Sequence, residues 1–252
     1  MGEISRANEE STRIVSALLS FVAGYVDSFT FITLFGLFVA NVTGSFVIAG
    51  AEIVKNDPSW IGKLLAIAAF FLAAFLTAAF IACARQRGWP ALMWTIMLET
   101  FFLAAFVALV LPGAPLTDPN DWRGIAAGLL AAMAMGSQSA LVRLLMPGVP
   151  QTNVMTGNLT ELGVETTELV LAWYRCACEP GDAESRARLT GARKHLSLLS
   201  YVTIGFLIGS AAGPTAYIVW GLPGVIAPIV ILGVLSLWAL RRERQMQFSG
   251  RG

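Results

Sequence analysis

This 252-residue chain is short of most of what a soluble catalytic domain relies on. Charged residues make up only 13% of it, and there is a single histidine, His195. No nucleophile and base are set in a recognisable motif, so an enzyme is not expected. Of the three cysteines, Cys83 lies in an apolar run, and Cys176 and Cys178 flank Ala177 in a polar stretch. With His195 that C-x-C pair makes three ligands, where a closed zinc site takes four. The thiols therefore read as ordinary reduced cysteines, and no metal or cofactor is expected. A net charge of +1 gives no basic excess for nucleic acid. No small-residue cleavage site follows a short apolar core near the N-terminus, so no removable signal peptide is expected.

Apolar side chains are what the chain has in excess: 56% of residues are hydrophobic and the mean hydropathy is +0.68. A hydrocarbon layer of about 30 Å is crossed by roughly 20 apolar helical residues. Six runs meet that length: Ile14–Phe38, Leu64–Ala84, Ala91–Leu111, Ile125–Leu145, Leu196–Ala212 and Ala216–Leu240. The expected class is an all-α, multi-pass integral membrane protein whose first partner is the lipid bilayer. Trp60, Trp89, Trp122 and Trp173 fall at segment ends, as interfacial anchors do.

Two further segments are less ordinary. Thr43–Val54 is about three turns, roughly 18 Å at 1.5 Å per residue. Thr156–Tyr174 carries Glu161, Glu165 and Glu168 at the spacing of one helix face. Lipid does not tolerate three carboxylates there, so that face meets protein, water or the interface.

The two segments open on near-copies, Asn41-Val42-Thr43-Gly44-Ser45 and Asn153-Val154-Met155-Thr156-Gly157-Asn158. Gly24 pairs with Gly136, and the same offset pairs Gly36 with Gly148, Asn41 with Asn153 and Val42 with Val154. One inserted residue, Met155, then aligns Thr43 with Thr156, Gly44 with Gly157, Gly50 with Gly163 and Glu52 with Glu165. Eight identities in under thirty positions exceed what shared hydrophobicity supplies. The chain therefore divides into halves, about 1–115 and 116–252.

Charge sets the direction of the halves. The C-terminal tail holds Arg241, Arg242, Arg244 and Arg251, the expected loop Arg175–Lys194 holds five basic residues, and Arg85 and Arg87 sit between two apolar runs. All three fall on one side only if the two short segments do not cross. Each half then has three spans, the second half is inverted, and both termini lie in the cytoplasm. Lys55 and Lys63 fall outside, a conflict that Asp57 offsets. Inverted halves with broken helices in corresponding places point to a transport site.

Candidate site residues follow from that placement. Asn41, Thr43, Gly44, Ser45, Asn153, Thr156, Gly157 and Asn158 stand at the starts of the short helices. There hydroxyls cap, glycine lets a ligand approach, and free N–H groups favour an anion or carbonyl oxygen. Asp27 and Glu99 lie near mid-span, and Glu161 is one turn from Gly157. An intramembrane carboxylate is a functional candidate by default, so these three are the proton-coupling candidates. Gly205, Gly209 and Gly213 form a helix-packing stripe, either within the chain or at a homodimer.

Gly24-Tyr25-Val26-Asp27-Ser28, together with the two Asn-Val motifs and Gln151-Thr152 before the second, resembles the YoaK-like family of uncharacterised bacterial inner-membrane proteins. The resemblance spans nearly the whole chain. It implies a helical integral membrane protein of this length and supplies no substrate and no site residues. The expected function therefore rests on the residues: a small secondary transporter for a small polar or anionic solute. The alternatives are a re-entrant-loop channel and a structural or regulatory membrane subunit.

Overall fold

A computed structural model describes residues 2–113, 116, 118–178 and 183–249. Among them are eight α-helices and no strand: α1 (Gly2–Thr33), α2 (Val42–Val54), α3 (Trp60–Arg87), α4 (Ala91–Val110), α5 (Trp122–Leu145), α6 (Met155–Cys178), α7 (Ala183–Trp220) and α8 (Ile226–Ser249). Six segments are long and apolar enough to cross a membrane: Glu9–Thr33, Trp60–Arg87, Ala91–Val110, Trp122–Leu145, Arg186–Trp220 and Leu222–Glu243. Large apolar side chains such as Phe71, Phe75, Phe101 and Leu207 stand exposed on the outer faces, as lipid-facing residues do. The chain is an all-helical protein of membrane type.

Three boundaries differ from the sequence reading. The first apolar run does not continue as helix to Phe38. It stops at Thr33, because Phe35 and Gly36 take left-handed φ values of 52° and 78° and the Gly36 N–H closes back on the Phe31 carbonyl at 2.9 Å. The stretch Arg175–Lys194, read as a loop, is mostly helix, since α6 runs to Cys178 and α7 begins at Ala183. Ala183–Lys194 is rich in Ala, Arg and Glu, good helix formers that a charge count alone does not register. The last two runs are not divided at Gly213-Pro214. Pro214 sits inside α7, costing one backbone hydrogen bond, and the chain turns instead at Gly221, whose φ is 68°. The side chains of Cys178 and Arg244, and the whole of Arg251, lie outside the described residues.

Packing is reciprocal between the halves. Helix α1 packs on α7 and α5 on α3; α2 lies on α3 and α6 on α7; α4 touches both α5 and α8. Glycine makes the closest crossings. A methyl group at Gly24 would run into the backbone of α7 at Phe206, and one at Gly136 into the backbone of α3 at Phe70. The stripe Gly205, Gly209 and Gly213 faces the backbone carbonyls of Ala17, Phe21 and Tyr25. That stripe is therefore used within the chain, to bring α1 and α7 to backbone contact. The core behind it holds Leu19, Val22, Val26, Phe29, Met135 and Leu141.

The short helices are tied down differently. Lys63 of α3 is 3% exposed and reaches Glu52 of α2 at 2.6 Å and the Phe35 carbonyl at 3.1 Å. Its charge is thus neutralised inside the fold, which removes it from the count of exposed cations. Helix α6 lies beside the polar first third of α7: Glu161 meets His195 at 2.8 Å, and Glu165, Glu168 and Arg175 share a groove with Arg188, Gly191 and Ala192.

Candidate functional site

After α1 ends, residues 34–41 turn back along it. The Asp27 Oδ1 accepts the N–H groups of Val39 and Ala40, each at 2.7 Å, and of Asn41 at 3.2 Å. Asp27 stands six residues before Thr33, about 9 Å down the helix axis. Helix α2 starts at that depth. Asn41 caps it, its Oδ1 accepting from the Gly44 N–H at 3.2 Å. Ser45 clasps the turn from behind: its hydroxyl donates to the Phe38 carbonyl at 2.6 Å and accepts from the Phe38 N–H at 3.2 Å. The Phe38 ring stacks on Phe31 at 4.5 Å and leaves no space for a Cβ at Gly44, which would stand 2.7 Å from it.

The second half builds the same turn with different groups. Gly148 takes φ 79°, matching Gly36. Asn153 Nδ2 donates to Ser139 Oγ at 2.6 Å, across the same fourteen-residue interval that separates Asp27 from Asn41. Asn158 Nδ2 donates to the Gln151 carbonyl at 2.7 Å, across the seven-residue interval of Ser45 and Phe38. The Ser20 hydroxyl of α1 lies 3.0 Å from the Thr152 carbonyl and 2.7 Å from that of Val202. One turn thus reaches α1 at Asp27 and the other at Ser20. Seven residues, about 10 Å of helix axis, separate them.

Between the turns lies a cavity of about 960 Å³. The first half contributes Ala40 to Gly44, Val47 and one face of α3, including Phe70. The second contributes Ser139, Arg143, Gln151, Asn153 to Thr156, and Phe206. Of the expected binding residues, Asn41, Thr43, Gly44, Asn153 and Thr156 are brought together here. Ser45, Gly157 and Asn158 are not among the lining residues. Ser45 and Asn158 are buried and spend their polar groups on the turns, and a Cβ at Gly157 would meet only Val154, at 3.6 Å.

The three carboxyl candidates also stand apart from the lining. Asp27 lies behind Ala40 and Asn41 as the anchor of their turn. Glu99 is fully buried in α4, and neither of its oxygens has a hydrogen-bond partner among the described residues. Glu161 is on the surface, paired with His195.

Arg143 was missed as a site residue. In sequence it reads only as a basic residue near a helix end. In the fold it lines the cavity, is exposed, and forms no ion pair among the described residues. No Asp or Glu lines the cavity with it. The cavity thus combines one guanidinium with the N-terminal ends of α2 and α6, whose first N–H groups lack intrahelical acceptors. Such a surface favours an anion or a carbonyl oxygen.

Comparison with curated proteins and with solved structures returns no match. A family profile does match, over residues 15–238, which takes in both turns and the cavity between them. The chain belongs to the family described as "Protein of unknown function (DUF1275)".

Proposed function

We propose that the chain is a small secondary transporter for a small polar or anionic solute, held between two re-entrant turns of inverted halves. One observation carries the reading: a single large cavity is lined from both halves by the two copies of the same motif, Asn41, Thr43 and Gly44 on one side, Asn153 and Thr156 on the other. Non-helical backbone at membrane depth is tolerated where it lines a cavity, and paired broken helices are how secondary transporters build a midplane site. The matched glycine angles, the matched intervals of the turn hydrogen bonds and the exchange of packing partners support two related halves. Each half has three segments able to cross, which sets the halves in opposite directions.

In this reading the protein sits in the cytoplasmic membrane with both termini inside. Arg85, Arg87, Arg143, Arg175, Arg186 and Arg188 then all fall on the cytoplasmic side. The buried Lys63–Glu52 pair removes the main conflicting cation. Helix α6 starts within the membrane beside Ser20 and leaves it along the polar third of α7.

Purified protein in proteoliposomes, assayed for uptake of a panel of sugars, polyols, acids, amino acids and cations with and without a pH gradient, tests this. Uptake above protein-free vesicles is expected for at least one class. Asn41→Leu and Thr156→Val should reduce it about tenfold or more, by removing two lining polar groups. Wild-type vesicles that take up nothing, or variants that transport normally, overturn the site. Cysteine labelling that finds Arg186→Cys outside overturns the inverted arrangement.

A further inference from the structure

The apolar wall of the cavity says more about the solute, within the reading of this cavity as the solute site. The polar lining groups belong to the two turns and to α5, while α3 and α7 present Phe70, Ala74, Ala78 and Phe206. The two phenylalanines occupy matching places. Each lies on the third helix of its half. Each has its backbone carbonyl against one glycine of a matched pair from the other half, Gly136 for Phe70 and Gly24 for Phe206. With no side chain on those glycines the helices cross closely, which fixes the backbone under each ring. Both rings are partly exposed, and neither is paired with another aromatic ring among the described residues.

Contact with lipid does not account for them. Val47 and Val154 also line the cavity and are 69% and 50% exposed, on α2 and just before α6, which are not packed on each other among the described residues. Lipid chains can reach those two. Phe70 and Phe206 instead stand where the halves cross, packed against the central core. A sugar or polyol against this wall would leave hydroxyls beside alanine and phenylalanine, desolvated and without partners.

We infer that the cavity takes an amphiphilic organic anion, one anionic head on a compact aryl body, and that Phe70 and Phe206 select the body. The head meets the polar end of the cavity, at Arg143 and the starts of α2 and α6. The aryl ring lies against the two phenylalanines, stacked on one or edge-to-face with it. The volume, about 960 Å³, is at the upper end of what small-molecule sites enclose, so ring and head fit together.

Equilibrium dialysis of labelled ligands against the full chain in phosphatidylcholine nanodiscs, with empty nanodiscs subtracted, tests this without requiring transport. Benzenesulfonate carries head and ring, methanesulfonate lacks the ring, and benzenesulfonamide lacks the charge. Benzenesulfonate should bind about tenfold or more tighter than methanesulfonate, through burial of its ring, and tighter than benzenesulfonamide. Phe70→Leu and Phe206→Leu keep an apolar side chain at each crossing. Each should weaken benzenesulfonate binding about two- to tenfold and leave methanesulfonate binding unchanged, a split that general unfolding would not produce. An unchanged gel-filtration profile checks that both variants fold, and the ligand comparison uses wild-type protein alone. Equal binding of benzenesulfonate and methanesulfonate, equal binding of benzenesulfonate and benzenesulfonamide, or indifference to both leucine variants overturns the assignment. Displacement of benzenesulfonate by phosphatidylglycerol added to the nanodisc makes a lipid the occupant and also overturns it. Ring preference and leucine sensitivity without uptake of any solute in the transport panel overturn transport and leave the ligand class standing. Uptake of sugars with no ring preference does the reverse.

Discussion

Asp27 offers the sharpest test of how the site is held. One carboxylate oxygen accepts three backbone N–H groups, two at 2.7 Å and one at 3.2 Å, on a residue only 3% exposed. Asp27→Ala leaves three N–H groups without that acceptor. A buried unpaired donor costs about 1–3 kcal/mol. Such costs are not additive, so the sum is about 3–6 kcal/mol, a large part of the roughly 5–15 kcal/mol that holds a typical domain folded. Asp27→Asn keeps an oxygen in the same place and loses the charge, which costs about 1–2 kcal/mol. Thermal unfolding in detergent, followed by tryptophan fluorescence, separates the two. At about 2–4 °C per kcal/mol for a chain of this size, Asp27→Ala should unfold roughly 10 °C or more below wild type and Asp27→Asn only a few degrees below. Transport by Asp27→Asn should survive at reduced rate. An Asp27→Ala protein as stable as wild type would refute the anchoring argument. A stable Asp27→Asn protein that had lost only its response to a pH gradient would instead make Asp27 a proton carrier.

The remaining predictions concern packing and the second buried acid. Gly209→Ala should lower the unfolding midpoint by several degrees, since the methyl meets the rigid Phe21 carbonyl and α1 and α7 must separate, at about 1–3 kcal/mol. Gly163→Ala is the control on exposed α6, with nothing within 4 Å of the added atom; it should be neutral or stabilising by up to about 1 kcal/mol. Glu99→Met should raise the midpoint, because a buried carboxyl without a hydrogen-bond partner is costly in either protonation state and methionine is close in volume. A midpoint lowered by that substitution would mean that Glu99 has a stabilising partner, and a normal midpoint with lost pH-gradient response would make it the coupling acid.

How far the sequence could be read depended on what each residue type reports. The recurring motif was legible because Gly, Asn and Glu are costly in apolar helices, so their recurrence at one offset carries positional information. Gly36 and Gly148 share a left-handed turn, and Gly24 and Gly136 share a backbone crossing. The division of labour within each motif was not legible. Thr43 and Ser45 are two residues apart in one short helix, yet one faces the cavity and the other faces Phe38, and only the path of residues 34–41 decides which. Asp27 looked like a coupling group because an intramembrane carboxylate usually is functional. Its three N–H partners lie twelve to fourteen residues on, past the end of the apolar run, and come back beside it only because α1 stops at Thr33. The stretch Ala183–Lys194 looked like loop because charge reports contact with water, and a helix that projects beyond the membrane meets water as fully as a loop does.

The mismatch between the halves is as informative as their agreement. Ser139 occupies the place that Asp27 holds in the first half, and it lines the cavity one turn before Arg143 on α5. An aspartate there could still anchor the second turn. It would also stand four residues from Arg143, the spacing at which opposite charges on a helix pair. Such a pair would neutralise the one guanidinium lining the cavity and place a carboxylate where the helix N-termini favour an anion. With serine, the turn is held by a neutral hydrogen bond and the cavity keeps its positive character. The first half can use a carboxylate because Ala40 and Asn41 stand between it and the cavity. The charge distribution thus follows from which of two equivalent positions faces the cavity, and among the described residues no carboxylate lines the cavity to answer Arg143.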